Sequence, residues 1–361
     1  MTRLRLCLRQ TSSPASLVTV RRAMVSILIT TYNSARFLER CLESLLQQVY
    51  TPLEVIVVDN ASSHGTRDLL ARAGSEVRVI YNETNIGFAA AQNQAARLAQ
   101  GEWLLSLNPD VVLKPDFVAK AVEAGNVDPK IGVVCGKLLR WMPNENPEFS
   151  QIIDSTGIYF LPNLRHLDRG AGEPDHGQFQ RIEYVFGATG AAALYRRSMV
   201  DDVSINGEFF DEQFFAYRED ADLAWRAQLM GWRCLYTPEA VGWHVRRVTP
   251  ERRSELPTEI NWHSIKNRFL MRAKNISLPL YAKYFLPITV RDLQVVGYCL
   301  FVDRRLASAL TAVWKSRHEL RKKREIVQSH RRVPDAELSM WFAKRPVSVP
   351  VNSATQLLVP R

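Results

Sequence analysis

The stretch "VSILITTYNSARFLERCLESLLQQ", Val25–Gln48, decides the architecture. It opens as a β-branched apolar run that ends on Thr31, Tyr32 and Asn33. Ser34 then stands where a helix cap belongs, and Phe37, Leu38, Cys41, Leu42, Leu45 and Leu46 recur at helical spacing. The same unit follows again. "LEVIVVDN" (Leu53–Asn60) reads as a strand, a helix is expected over 66–73, and "VRVIY" (Val77–Tyr81) is the next strand. An alanine-rich helix follows Gly87, and "EWLLSLN" (Glu102–Asn108) is strand again. Strands that are apolar throughout, alternating with amphipathic helices, predict a Rossmann-like, mostly parallel α/β sheet covered by helices on both faces.

Such sheets bind ligands beyond the carboxyl ends of their strands. Three of those ends carry polar residues that packing does not require: Thr31-Tyr32-Asn33, Asp59-Asn60 and Asn108-Pro109-Asp110. The loop after the first strand, "TTYNSARF", contains no glycine, which argues against a nicotinamide dinucleotide.

A second stretch, "FFDEQFFAYREDADLAWRAQLMGW" (Phe209–Trp232), opens a helix on Glu219, Asp220 and Asp222 that is expected to run to Gly231. Acids at a helix start suit the macrodipole, and they also suit a site. A strand "RCLYTP" and then His244 follow. Between the halves, residues 154–197 read as an irregular excursion over the sheet, with Asp154 and Asp168 expected to serve turns.

Composition narrows the class. The chain has 361 residues, 46% hydrophobic and 23% charged, and a net charge of +10, which suits anionic partners without choosing among them. Cys7, Cys41, Cys135, Cys234 and Cys299 are scattered, with no CxxC pair, so neither a disulfide framework nor a zinc cluster is expected. Residues 1–23 hold Arg and Ser but no acid, and read as a flexible extension or a start upstream of the true one at Met24. Past His244 a basic, turn-prone segment is followed by apolar helices interrupted by Lys283, Pro287, Arg291 and Asp292, and then by "WKSRHELRKKREIVQSHRR" (Trp314–Arg332). No uncharged run reaches the length of a membrane span, so these helices are expected to lie in an interface or pack on the sheet domain. The basic tail suits an anionic membrane surface, and no motif for nucleic acid is present.

From Val25 to about Val248 the chain resembles a family 2 glycosyltransferase of the GT-A type, in the bacterial rhamnosyltransferase-like branch. The resemblance rests on the two stretches above together with "LEVIVVDNAS", "NETNIGFAAAQNQAARLAQGEWLLSLNPDVVL" and "FGATGAAALYRR", in that order along the chain. It implies a catalytic domain over 24–250, and the remaining 251–361 is expected from its own composition to be a helical, basic, membrane-associating region. It also implies roles. Thr31, Tyr32 and Asn33 would line the nucleotide pocket, Asp59 would accept the imide N–H of uracil or thymine, and Asn85 and Gly87 would lie against the nucleotide. A DxD motif holds the divalent metal in this family. Asn108-Pro109-Asp110 stands in its place, so Asp110 is the carboxylate retained, with His244 as a further ligand for Mg2+ or Mn2+. Asp220, beside Glu219, would be the general base, and Gly190 would line the sugar and acceptor cleft. The implied activity is inverting transfer of a sugar, such as L-rhamnose from dTDP-rhamnose, to a polysaccharide or polyprenyl-linked acceptor at the inner face of the cell membrane. Asn108 keeps open a second reading, a nucleotide-sugar-binding partner in a polysaccharide assembly complex that has lost turnover.

Overall fold

The structure, a computed structural model, describes residues 22–63, 65–141, 150–246 and 257–351. The expected alternation is present. Strands β1 (Val25–Thr31), β2 (Leu53–Asn60), β3 (Val77–Asn82) and β4 (Trp103–Leu107) are linked by helices α1 (Ala35–Leu46), α2 (Thr66–Arg72) and α3 (Phe88–Leu98). They pair in parallel in the order β3-β2-β1-β4. The alternation of β1 splits the core. Ile27 and Ile29 face Leu38 and Cys41 of α1, whereas Leu28 packs with Ala91 and Ala95 of α3. Ser34 sits at the start of α1, yet its hydroxyl makes no capping bond; it turns back to the Tyr32 carbonyl at 3.3 Å.

Beyond β4 the sheet becomes mixed. Strand β5 (Val111–Leu113) and helix α4 (Phe117–Gly125) lead to the long β6 (Ile131–Arg140). Short strands β7 (Ile153–Ser155), β8 (Ile158–Phe160), β9 (His166–Asp168) and β10 (Glu183–Val185) follow, then β11 (Ala192–Arg196), helices α5 (Arg197–Val203) and α6 (Glu219–Leu229), and β12 (Arg233–His244). β11 is inserted antiparallel between β4 and β6, and β12 pairs with β6 in parallel. The long strands β1, β2, β3, β4, β6 and β12 therefore all run one way, and their carboxyl ends form one edge.

Helices α7 (Thr258–Asn275), α8 (Leu278–Lys283), α9 (Phe285–Gly297), α10 (Ala307–Lys315), α11 (Arg317–Ser329) and the short α12 (Asp335–Leu338) precede a last short strand, Val349–Pro350, which pairs with β10. Buried ion pairs join this region to the sheet domain. Lys274 of α7 is fully buried and contacts Asp211 and, at 2.9 Å, Asp222 of α6. Lys323 of α11 reaches Asp211 at 2.7 Å and Glu208 at 3.0 Å. Residues 1–21 and 247–256, where the extension and most of the basic segment were expected, lie outside the described residues.

Candidate active site

A cavity of about 550 Å3 opens at the carboxyl edge, where β4, β6 and β12 end beside the start of α6. Asn108, Asp110, Gly190, Glu219, Asp220 and His244 all line it, so five of the residues singled out in the sequence for metal, base and cleft meet there, with Asn108 beside them. Pro109 causes no loss of ladder, because pairing ends at the preceding residue: the Asn108 N–H donates to the Ala191 carbonyl and the chain then turns, Val111 N–H to Asn108 O.

His244, the last residue of β12, is positioned by acids on two sides. Its Nδ1 lies 2.8 Å from Asp154 Oδ2, and its Nε2 lies 3.5 Å from Asp110 Oδ1. Burial alone pushes the imidazole down, but the Asp154 and Asp110 carboxylates outweigh it and carry the group up to about 10. Arg246 closes the ring by pairing with Asp154 at 3.2 Å and with Asp168. Asp154 and Asp168 therefore do not serve turns. They sit in β7 and β9, and Asp154 is fully buried. Nothing local marks them in the sequence, because strands of three residues are too short to show a period and their partners lie far along the chain.

The donor set fits a divalent cation. A carboxylate and an imidazole nitrogen face each other, and the second ring nitrogen is anchored on another carboxylate, the arrangement that fixes tautomer and direction in metal-binding histidines. Among the described residues no three such side chains converge, so further ligands would have to come from phosphate oxygens and water.

Opposite stands the acid pair of α6. Asp220 Oδ2 accepts the Gly190 N–H at 3.0 Å, and burial pushes the carboxyl up, against the pull of that bond. Glu219 is buried, and its Oε2 has no hydrogen-bond partner among the described residues; burial and then the neighbouring Asp220 push it well up. Asp222 is structural: fully buried, it takes bonds from Arg226, Lys274 and Asn275. The guanidinium groups of Arg140 and Arg165 also line the cavity, with no ion-pair partner among the described residues.

The segment before α6 is held in an unusual shape. Phe215, Tyr217 and Arg218 all have positive φ, between 64° and 72°. Helix α7 clamps it from outside. Asn267 donates to the carbonyls of Phe214 (2.8 Å), Ala216 (2.8 Å) and Tyr217 (2.7 Å), while Arg218 donates to the Ser264 carbonyl at 2.8 Å. His263 stacks on Phe215 with ring centroids 4.7 Å apart. None of these α7 residues was singled out in the sequence.

Thr31, Tyr32, Asn33, Asp59, Asn85 and Gly87 do not line this cavity; they continue the same edge along β1, β2 and the start of α3. Asp59 is fully buried and accepts from Thr31 Oγ1 (3.0 Å), Ser62 N–H (3.1 Å) and Arg67 Nε (2.9 Å). Asn33 accepts the Ser63 N–H at 2.8 Å, and Asn85 accepts the Gly87 N–H at 2.9 Å. Gly87 has a specific steric reason: a Cβ there would meet the Phe215 ring at 2.6 Å and its carbonyl at 2.8 Å. The glycine thus joins α3 to the clamped segment.

Residues 26–204 match the profile of glycosyl transferase family 2. Over 247 residues the chain is 27% identical to the N-acetylglucosaminyl-diphospho-decaprenol L-rhamnosyltransferase of Mycobacterium tuberculosis, a match covering 60% of this chain and 74% of that protein. Two solved structures share the fold. GalNAc-T7 with UDP, GalNAc and Mn2+ aligns with a TM-score of 0.54 at 15% identity, over 70% of this chain and 48% of that one. S. aureus TarS 1-349 in complex with UDP-GlcNAc aligns with a TM-score of 0.53 at 16% identity, over 89% of this chain and 93% of that one.

Proposed function

Because the chain belongs to the family 2 glycosyltransferases and has the GT-A fold, we propose that it is an inverting, metal-assisted transferase whose reaction runs in the cavity between Asp110 and Asp220. The observation that carries this reading is that Asp110 and His244, whose imidazole would give up its proton on binding a cation, line the same cavity as a carboxylate whose basicity burial has raised.

The nucleotide lies along β1 and β2, with Asp59 receiving the imide N–H of the base on the lone-pair capacity its three donors leave. The diphosphate points to the end of β4. Asp110 and His244 would hold a divalent Mg2+ or Mn2+, and a bound cation there would neutralise the charge that builds on the leaving diphosphate. Arg140 is placed to share that charge. An acceptor hydroxyl near Gly190 attacks the anomeric carbon as the bond to the diphosphate breaks, and Asp220 takes the hydroxyl proton, so attack from the opposite face inverts the anomeric centre. Glu219 beside it is pushed up by burial and by the Asp220 charge, so the pair resists carrying two negative charges and holds a proton more tightly than either acid would alone.

Similarity to a rhamnosyltransferase acting on a diphospho-decaprenol sugar supports dTDP-L-rhamnose as donor and a polyprenyl-linked glycan as acceptor, with the protein peripheral at the inner face of the cell membrane. The test is a panel of dTDP-, UDP- and GDP-sugars with Mn2+ or Mg2+, read as nucleotide release. Release from dTDP-rhamnose that needs the metal and quickens with acceptor is expected. Silence across the panel would support the non-catalytic binding partner that Asn108 keeps in play.

A further inference from the structure

Helix α9 continues through one wide turn, Tyr298–Val302, into an 18-residue apolar helix, Phe285–Val302, with mean hydropathy 1.4 and only 11% of it buried. Its apolar side faces outward. Leu286 (70% exposed), Val290, Leu293 (68%) and Phe301 (81%) follow one another at spacings that place them on one face. The polar contacts lie on the inner side, where Asp292 pairs with Arg268 at 3.2 Å and with Arg272 of α7, and where Ile288 and Cys299 are buried. This polarity is the reverse of a water-facing helix, and so contiguous an apolar face marks an interaction surface. The sequence reading expected these helices to lie in an interface or pack on the sheet domain; because Arg291 and Asp292 interrupt the run, it did not single out Phe285–Val302 as the face concerned.

Charge identifies the occupant. Lys283 stands at one end of the stripe and Arg304 and Arg305 at the other, where Asp303 pairs with Arg305 at 2.8 Å and leaves Arg304 as the uncompensated charge among the described residues, with Lys315 and Arg317 beyond. A second copy docking about a two-fold would bring basic end against basic end in either helix direction. A bilayer with anionic headgroups satisfies both ends at once, and the exposed Tyr298 and Trp314 suit its interfacial layer. The ion pairs of Asp292 to α7, with Ile288 and Cys299 buried on the same side, fix the helix to the protein, so it lies in the surface rather than crossing it.

The helix also adjoins the active site. Arg268 joins Asp292 to the Asn163 carbonyl in the turn between β8 and β9, a 2.9 Å bond, and Arg165 in that turn lines the cavity. We propose that Phe285–Val302 is a membrane-docking face: Leu286, Leu293 and Phe301 enter the acyl boundary, Lys283 and Arg304 meet lipid phosphates, and the Arg165 rim of the cavity is held at headgroup level. The docking is independent of the chemistry; only its purpose, access to a lipid-borne acceptor, rests on the proposed function.

The test is flotation of the full chain, without sugar donor, on vesicles of phosphatidylcholine alone or mixed with phosphatidylglycerol. The parent should float with the anionic vesicles and hardly with the neutral ones. The triple variant Leu286→Gln, Leu293→Gln, Phe301→Gln should lose roughly a hundredfold in apparent affinity, as expected for three side chains withdrawn from an apolar phase. All three are exposed, so its thermal melt should match the parent's. Should it misfold, Lys283→Glu with Arg304→Glu tests the same face through loss of binding to anionic vesicles alone. A parent that does not float, or a well-folded variant that floats like the parent, overturns the proposal. A parent dimer that the variant dissolves assigns the face to a second copy instead. Nucleotide release measured on the same proteins separates the two readings: docking without turnover on any donor would sink the function and leave the docking.

Discussion

Asp59 and Asp220 are acids at the same edge of the same sheet, and the protein treats them oppositely. Asp59 receives a hydroxyl, a backbone N–H and a guanidinium, two of them from residues within eight positions of it. Asp220 receives the Gly190 N–H and one from the next residue of its own helix, and burial raises its carboxyl. A carboxylate surrounded by donors is a fixed acceptor, suited to binding. One given few donors in a drier place holds a proton more tightly, as a base must. The support differs too: the strand ends hold Asp59 from within, whereas α7, far along the chain, holds the segment before Asp220 from outside.

The largest effect should come from removing the base. Asp220→Asn keeps the shape and the Gly190 contact to an amide oxygen, yet transfer should fall about 10²- to 10⁴-fold, the usual worth of a general base. Binding of the metal-nucleotide, followed by calorimetry, should not change. In the parent, the rate should rise with pH through a midpoint above the ordinary Asp value, since the ionised form accepts the proton. Asp168 and Glu219 face the carboxylate and favour a higher midpoint, while the Gly190 N–H and Arg218 oppose them. An Asp220→Asn enzyme with parental turnover would erase the contrast with Asp59.

The joint between α6 and α7 can be broken without touching the cavity. Lys274 is fully buried between Asp211 and Asp222, and Lys274→Met leaves two buried carboxylates short of a partner. Because Asp211 keeps Lys323 and Asp222 keeps Arg226, the cost should be about 3 kcal/mol, the low end of the penalty for breaking a buried ion pair, read from the urea midpoint. A loss within a few tenths of a kcal/mol would mean that α7 rests on the sheet domain rather than being built into it.

Much of this contrast was legible in the sequence on one side only. β1, β2 and β4 announce themselves because each has a continuous apolar run, β3 is a shorter edge strand broken by Arg78, and the helices carry their stripes within a dozen residues. The polar strand ends, and the acids that open α6, were visible for the same reason: they depart from a local pattern. The antiparallel insertion of β11 between β4 and β6 was not, since its place depends on pairing across the chain. Nor was the ring that Asp154, Asp168 and Arg246 form around His244, since they look like turn residues and a loop arginine until strands some 90 positions apart meet. Asn267, Lys274 and Asn275 resemble the wet face of a helix, yet all three are fully buried. Burial of polar groups is decided by what packs on them.

A smaller effect, of a different kind, is expected at the nucleotide end. Asp59→Asn removes the negative charge that Arg67 and the base share. Donor affinity should weaken by ~1.5–3 kcal/mol, the range for hydrogen bonds to charged groups. The turnover number at saturating donor should hold, because the contact is equal in ground and transition states. A fall in kcat with KM unchanged would place Asp59 in the chemistry and reverse the comparison.

The finest probe is Asn267→Ala. Its side-chain amide serves three carbonyls of the segment whose Phe215, Tyr217 and Arg218 sit at positive φ, a conformation that costs of order 1–3 kcal/mol per residue and persists only when surroundings impose it. Alanine removes that restraint and leaves the carbonyls to be satisfied by relaxation of the backbone. If the clamp sets the direction of Asp220, the segment should relax toward ordinary φ and draw the carboxylate away from Gly190. Turnover should then drop by roughly tenfold, about the 1.4 kcal/mol expected from one misplaced contact. Donor KM should barely move, since Asp59 is held from the other side of the edge. A merely structural role would lower the melting temperature and leave kcat of the surviving folded protein unchanged, so the two readouts together decide whether α7 supports the base or only the fold.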